Sequence, residues 1–459
     1  MRPATPAADP DAYPPPADAD TGGTAARRYH ARYGSVLPAI DLTASNTPPK
    51  VHPGAHVIPL PFPPGAPAHA SGLDPAASES LDNLDNLGAL LALLCGVTRI
   101  DWTGAGVGAG RPVPSGGGAY PGEVYVATAF GLCHYLPAAH ALELLSPADL
   151  RADLVRALSR PPAHRPELVL LITTRQDANL ARYGPFGHRL QALDTGVLTG
   201  QALTVLAAAS ARPTAHVLFA ERALGGLLGL DPGAERVHAV VTADPACPPT
   251  PTAELLNRRS ARSGFEPAPV PVAQITELLD QATAPLPLDS PDGPGTPDGP
   301  NTPDAPDAVG CELYLVAGRV TGLEPGCHRH DPRTRKLVPL TPGATPRALF
   351  PPGGPGELAG FEAACALLVV GDHERGYPEH GDRWYRMLNL RAGILGQRIG
   401  LAAARVGLGA GLRCDFVSTE TDRLLGTPPG RTALLAVLIG PERGSGTPTH
   451  HLLFPGGHR

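Results

Sequence analysis

Two short runs in this 459-residue chain each gather several ligand-binding groups. Arg258-Arg259-Ser260-Ala261-Arg262 places three guanidiniums and a hydroxyl within five positions. Guanidinium forks bind phosphate bidentately and a serine adds a neutral hydrogen bond, so the run can grip a phosphate; it also fits a solvated basic turn. Pro114-Ser115-Gly116-Gly117-Gly118 lies just ahead of an apolar run. Without side chains in the way, backbone N–H groups can approach a flat or anionic ligand closely, and the flanking prolines stiffen that approach. The run is no P-loop, because Gly-Lys-Ser/Thr is missing and a strand follows instead of a helix. In a chain with 54 glycines an ordinary turn is the competing reading.

The elements that must position these runs are mixed. Residues 122–130, 169–175, 238–243, 311–320, 366–372 and 433–440 are short, β-branched or aliphatic, and read as strands. Residues 84–96, 190–210, 275–283 and 387–409 have helical spacing, and two of them are long enough for core helices. The elements recur in order. A strand, a Gly-Leu turn, a Cys-His hairpin, a second strand, a long Ala/Leu helix and a terminal strand appear twice, with a period near 200 residues. That period is too long for a solenoid and fits two homologous domains. Composition marks the joints. Residues 1–24 read as a disordered tail, 244–252 as an interdomain joint, and the Pro/Asp/Gly-rich stretch 284–309 as a solvated linker with almost nothing for a core. The halves are then 25–245 and 252–445.

The bulk chemistry excludes several classes. A net charge of −6 without a basic block gives no support for nucleic acid binding. No run of 18 apolar residues is present, so no membrane span is expected. Residues 1–20 lack the order of a signal peptide. The seven cysteines are scattered and form no CxxC, which fits neither a disulfide framework nor a zinc site and points to a reducing cytoplasm. His188, His328, His330, His373 and His380 show no metal-ligand spacing, and His328–Asp331 reads as a solvated hairpin turn.

Beyond the two runs, Tyr29-His30, PPKVHPGAHVIPLP (48–61), PSGGGAYPGEVYV (114–126), ARYGPFGHRLQALDTG (181–196), NRRSARSGF (257–265), GLEPGCHRHDP (322–332) and VGLGAG (406–411) carry a resemblance. The chain resembles the nitroreductase-like flavoproteins, in particular the SagB/ThcOx-type peptide azoline dehydrogenases. The resemblance implies an α+β fold of two tandem nitroreductase-like domains paired as an intrachain pseudo-dimer around FMN. It gives Arg258, Arg259, Ser260 and Arg262 the FMN phosphate and ribityl chain, and Pro114, Ser115, Gly116 and Gly117 the isoalloxazine. It also places Arg443 near the phosphate, where a plain surface arginine is the alternative. The first half lacks the arginine run (71–87 has none) and the second lacks the glycine run, so one complementary pair and one FMN are expected. Relatives carry a Lys-Tyr pair that removes a proton during azoline oxidation. Here Arg182-Tyr183 stands in its place, and the second half offers Tyr377-Pro378. Tyr183 would act as acid/base or orient substrate, or simply pack. Arg182, which does not deprotonate, would at most favour tyrosinate. The implied reaction is oxidation of thiazoline or oxazoline rings in a modified precursor peptide, alongside a cyclodehydratase. The alternatives are an NAD(P)H-dependent flavin, nitro or quinone reductase, and a non-catalytic scaffold subunit.

Overall fold

The computed structural model describes residues 22–37, 40, 41, 44, 47–61, 84–103, 106–245, 249, 252–289, 310–444 and 450–453. Two antiparallel-dominated sheets carry the fold. In the first the strands run His56–Pro59, Ala141–Ser146, Gly131–Leu136, Gly122–Thr128, Leu168–Arg175, Glu235–Ala243, Thr214–His216 and Leu288–Asp289. In the second they run Lys336–Pro342, Gly326–Asp331, Cys311–Ala317, Cys365–Asp372, Arg431–Gly440 and Gly409–Arg413. The strands alternate faces as a pleat requires. Leu168, Leu170 and Ile172 face the central core while Val169 and Leu171 face an outer cluster with Leu154 and Phe219. Cys365, Leu367 and Val369 face the same central core, and Ala366, Leu368 and Val370 an outer cluster with Phe350 and Phe416.

Between the sheets lie two long helices, Gly187–Ala208 and Arg383–Arg405. Both are almost entirely buried, although the second carries arginines at 383, 386, 391, 398 and 405. They cross at Gly196 and Gly393. A Cβ on Gly196 would run into the Leu390 carbonyl, and one on Gly393 into the Leu193 carbonyl. Glycine in a helix interior costs about 1 kcal/mol against alanine, and here the missing side chain is what lets two backbones touch. Further along, Gln397 Nε2 donates to Gln201 Oε1 across the crossing at 2.7 Å. Arg189 Nη2 reaches Leu434 O in the second sheet at 2.7 Å, and Arg386 Nη2 pairs at 2.6 Å with Glu221 at the start of helix Glu221–Leu227, so each helix is tied to the other half.

A constant step relates these elements. Strand Leu168–Arg175 maps onto Cys365–Asp372 by adding 197 to each end, and the pair Gly196/Leu193 maps onto Gly393/Leu390 by the same step. The bulge between Ile172 and Thr173 recurs between Val369 and Val370. Gly184 (φ 52°, ψ −150°) and Gly381 (φ 51°, ψ −145°) close equivalent one-turn helices with backbone angles that suit glycine.

Several expectations need correction. His328–Asp331 is no solvated turn: it lies in strand Gly326–Asp331, with His328 and His330 buried. The second long helix stops at Arg405, because Gly407 adopts φ 79° and the chain turns into strand Gly409–Arg413. The stretch 284–309 is not linker throughout. Leu286 and Leu288 are buried, and Asp289 Oδ2 bonds His216 Nδ1 at 2.9 Å beside the first sheet's edge. Residues 290–309, like 1–21, lie outside the described residues. Residues 22 and 23 are described, and a helix starts at Thr24. Among the described residues six cysteines are free thiols, and no helix is long and apolar enough to cross a membrane.

Candidate active site

The glycine run ends on a tight 3-10 turn. Gly117 and Gly118 take φ 61° and 68°, a conformation that favours glycine, so the loop's sequence follows from its shape. Three contacts hold it. Ser115 Oγ donates to Asp194 Oδ2 at 2.6 Å, Gly116 N–H donates to the same carboxyl at 3.3 Å, and Tyr120 N–H donates to Ser115 Oγ at 2.8 Å. Arg182 adds a fourth. Its Nη1 donates to Gly117 O at 2.7 Å and its Nη2 to Ala44 O at 2.9 Å.

This loop forms one wall of a cavity of about 380 Å³. Pro114, Ser115, Gly116 and Gly117 face Ser260, Leu412, Arg413 and Cys414 from the second half, while Leu190, Leu193 and Val197 supply an apolar floor from the first long helix. Ser260 is placed by a parallel bridge to Ala410, with Ala261 N–H donating to Ala410 O at 2.9 Å. The two runs singled out in the sequence therefore meet.

The arginines divide sharply. Arg258 is 2% exposed, and its Nε donates to Pro112 O at 2.6 Å, tying the arginine run to the glycine run. Its Nη2 is closed off from solvent with no hydrogen-bond partner among the described residues. Burial first, then Arg99, Arg259 and Arg262, draws its pKa down to about 9. A buried cation with an idle donor and cationic neighbours is a place for an anion. The other arginines already face carboxylates. Arg259 Nη2 pairs with Glu442 at 2.6 Å, Arg262 Nη1 lies 3.3 Å from Asp101, and Arg443 Nη2 donates to Glu362 at 2.5 Å and to Phe265 O at 3.2 Å. None of the four, Arg258 included, lines the cavity; of the arginine run only Ser260 does.

Tyr183 lines the cavity, and its phenol is pushed up by burial, which outweighs the opposing pull of Arg182. Arg182 does pull the phenol towards the anion, through its charge and a side-chain hydrogen bond, but desolvation outweighs that pull, and two of its donors also go to backbone carbonyls. The second-half counterpart also changes. With Gly184 matched to Gly381, the position equivalent to Tyr183 is His380, while the buried Tyr377 corresponds to Leu180.

Asp194 escaped the sequence reading. It faces the cavity, and burial lifts its carboxyl to about 7 against the lowering effect of Ser115 and Gly116. One signal was available, a lone acid in an otherwise apolar core helix. Cys414 had none. Its thiol, also in the cavity wall, is pushed up to about 12 by burial.

The nitroreductase family profile matches residues 255–440. A crystal structure of an Anabaena variabilis ATCC 29413 protein with a provisional nitroreductase name superposes with a TM-score of 0.73 at 22% identity, covering 91% of this chain and 99% of that one. A Ralstonia eutropha JMP134 protein of similar provisional name gives 0.29 at 21% identity, over 46% of this chain and 99% of its own. The E. coli microcin synthetase McbBCD complex with truncated pro-MccB17 bound gives 0.31 at 18% identity, over 48% of this chain and 91% of its own. No curated protein matches the sequence. The chain has the α+β nitroreductase-like fold, the fold of an FMN-binding superfamily. The cavity's glycine loop and apolar floor suit the flat ring of such a cofactor; Arg258, two residues from the cavity-lining Ser260 and itself outside the lining, keeps an idle donor that suits a phosphate.

Proposed function

We propose that this chain is an FMN-dependent oxidoreductase of the nitroreductase type, an intrachain pseudo-dimer with one flavin between its halves. The observation that carries this reading is the meeting of the Pro114–Gly117 loop with Ser260 beside the buried Arg258. When bound, FMN supplies hydride acceptance and donation. The protein's own part is separate. Arg258 would hold the phosphate, and Gly116 and Gly117 would let the backbone lie against the ring. Asp194, Ser115 and Arg182 keep the loop in shape. Tyr183, kept as a phenol and lining the cavity, would donate a proton to a substrate bound there. An apolar, partly open cavity suits a flat electron-poor acceptor, with NAD(P)H as reductant.

One observation favours a second reading, oxidation of azoline rings in a modified peptide supplied with a cyclodehydratase. That reaction needs a base near neutral pH, and Asp194 has a carboxyl lifted to about 7 within the cavity. The deciding experiment begins with the absorbance spectrum and released FMN per chain. One FMN supports the single site, and colourless protein after incubation with excess FMN overturns it in favour of a scaffold. NADPH turnover with a quinone or nitroarene then supports the reductase, while turnover of a thiazoline peptide under air without NADPH supports the dehydrogenase.

A further inference from the structure

Away from this cavity, the outer face of the first sheet carries a buried polar row. In register across three strands stand Tyr125, His134 and Glu143. His134 is fully buried, with Nδ1 2.9 Å from Glu143 Oε2 and Nε2 3.2 Å from Glu123 Oε2. A neutral imidazole has one N–H and one lone pair. With a carboxylate at each nitrogen, one of the two contacts sets a lone pair against an anion unless positive charge is supplied there. His52, on the segment that crosses this row, approaches to a ring separation of 5.1 Å, and its backbone N–H donates to Glu143 Oε1 at 2.8 Å. Its Nε2 is closed off from solvent with no hydrogen-bond partner among the described residues. Lys50 does not fill the need, because its ammonium is taken by Glu235 and Tyr125.

We propose that His52 Nε2, His134 Nδ1 and Glu143 Oε2 form a binding site for a divalent cation of the zinc type. One ligand atom from each residue already lies within 4.8 Å of the other two. Zinc bonds of about 2.1 Å set tetrahedral ligands about 3.4 Å apart, so modest side-chain movement closes the site. The His134–Glu143 contact would open slightly, and the lone-pair conflict would become a coordinate bond. Glu123 would then accept the Nε2 proton of His134 and fix the ring, the arrangement usual behind a metal-bound histidine. Two imidazoles and a carboxylate suit zinc better than calcium or magnesium. The cation would pin the segment bearing His52 to the sheet. The ligands come from a loop and two strands, at positions 52, 134 and 143, so no short spacing betrays them.

The test is zinc uptake by tag-free protein, stripped with chelator and exchanged into clean buffer. It is read by calorimetric titration with zinc chloride and by metal content after gel filtration. One zinc per chain is expected, with at least tenfold weaker binding in His52→Gln and in Glu143→Gln. His164→Gln, at an exposed pair with Asp244, should bind as wild type. His52 is partly exposed, so its replacement keeps the sheet packed, which far-UV circular dichroism verifies. Absence of uptake, or uptake unchanged in His52→Gln, overturns the site. None of these residues lines the flavin cavity, so the result is independent of flavin content.

Discussion

The two long helices differ most at one equivalent pair of positions. In the first, Asp194 sits under the cavity and holds Ser115. One step of 197 residues further on, the second helix carries Arg391, fully buried and 5.0 Å over the Trp384 ring. A carboxyl that helps to shape a ligand loop is matched by a guanidinium packed on an aromatic face. The crossing itself, Gly196 against Gly393, is alike on both sides. Scaffold positions repeat where both backbones need the same clearance, and ligand positions diverge where only one side keeps a loop to support.

That comparison can be broken most severely at the crossing. Gly196→Val and Gly393→Val each drive a branched side chain into a backbone carbonyl and should cost about 3 kcal/mol or more, by similar amounts, measured by urea denaturation. A large effect at only one position would end the equivalence. Next comes the arginine run. Arg258→Ala should weaken FMN retention by roughly 30- to 1000-fold, as loss of a buried charged contact of about 2–4 kcal/mol would, whereas Arg259→Ala, already paired with Glu442, should change it several-fold at most. Flavin fluorescence on dilution reads both.

Tyr183→Phe should lower kcat by about 100-fold with FMN content unchanged, the scale of a lost general acid, while His380→Phe, its counterpart, should leave turnover alone. Steady-state kinetics on the same acceptor decides. Asp194 gives a smaller, pH-dependent effect. Its folded-state pKa, about 7, lies above the ordinary 3.8, so the folded chain holds this proton more tightly. Its contribution to stability is present below about pH 4, is lost as pH rises towards 7, and is flat above that. Asp194→Asn should therefore flatten that part of the urea stability profile between about pH 4 and 7. Smallest of all, Arg391→Met should alter stability by about 1 kcal/mol or less, because an apolar side chain of similar volume replaces a buried charge, and FMN content should not change.

Much of the fold was legible because its signals are local. Leu168–Arg175 and Cys365–Asp372 are short aliphatic runs, the two long helices are Ala/Leu-rich, and glycines at 117 and 118 mark a left-handed turn. The site was legible only in outline. Ser260 and the 114–117 loop stood out by composition, but nothing local separates Arg258 from Arg259. That difference is made by Glu442, Asp101 and Pro112, all distant in the chain. The linker reading failed at Leu286 and Leu288, since the pocket that accepts them lies on the first sheet's edge.

The sequence by itself determined the element types, the repeat near 200 residues and the two candidate ligand-binding runs, because each rests on periodicity or on adjacent residues. Tertiary structure decided which arginine keeps an idle donor, where Asp194 titrates, and that His52, His134 and Glu143 converge. Those properties depend on burial and on partners tens to hundreds of residues away, which no local pattern encodes.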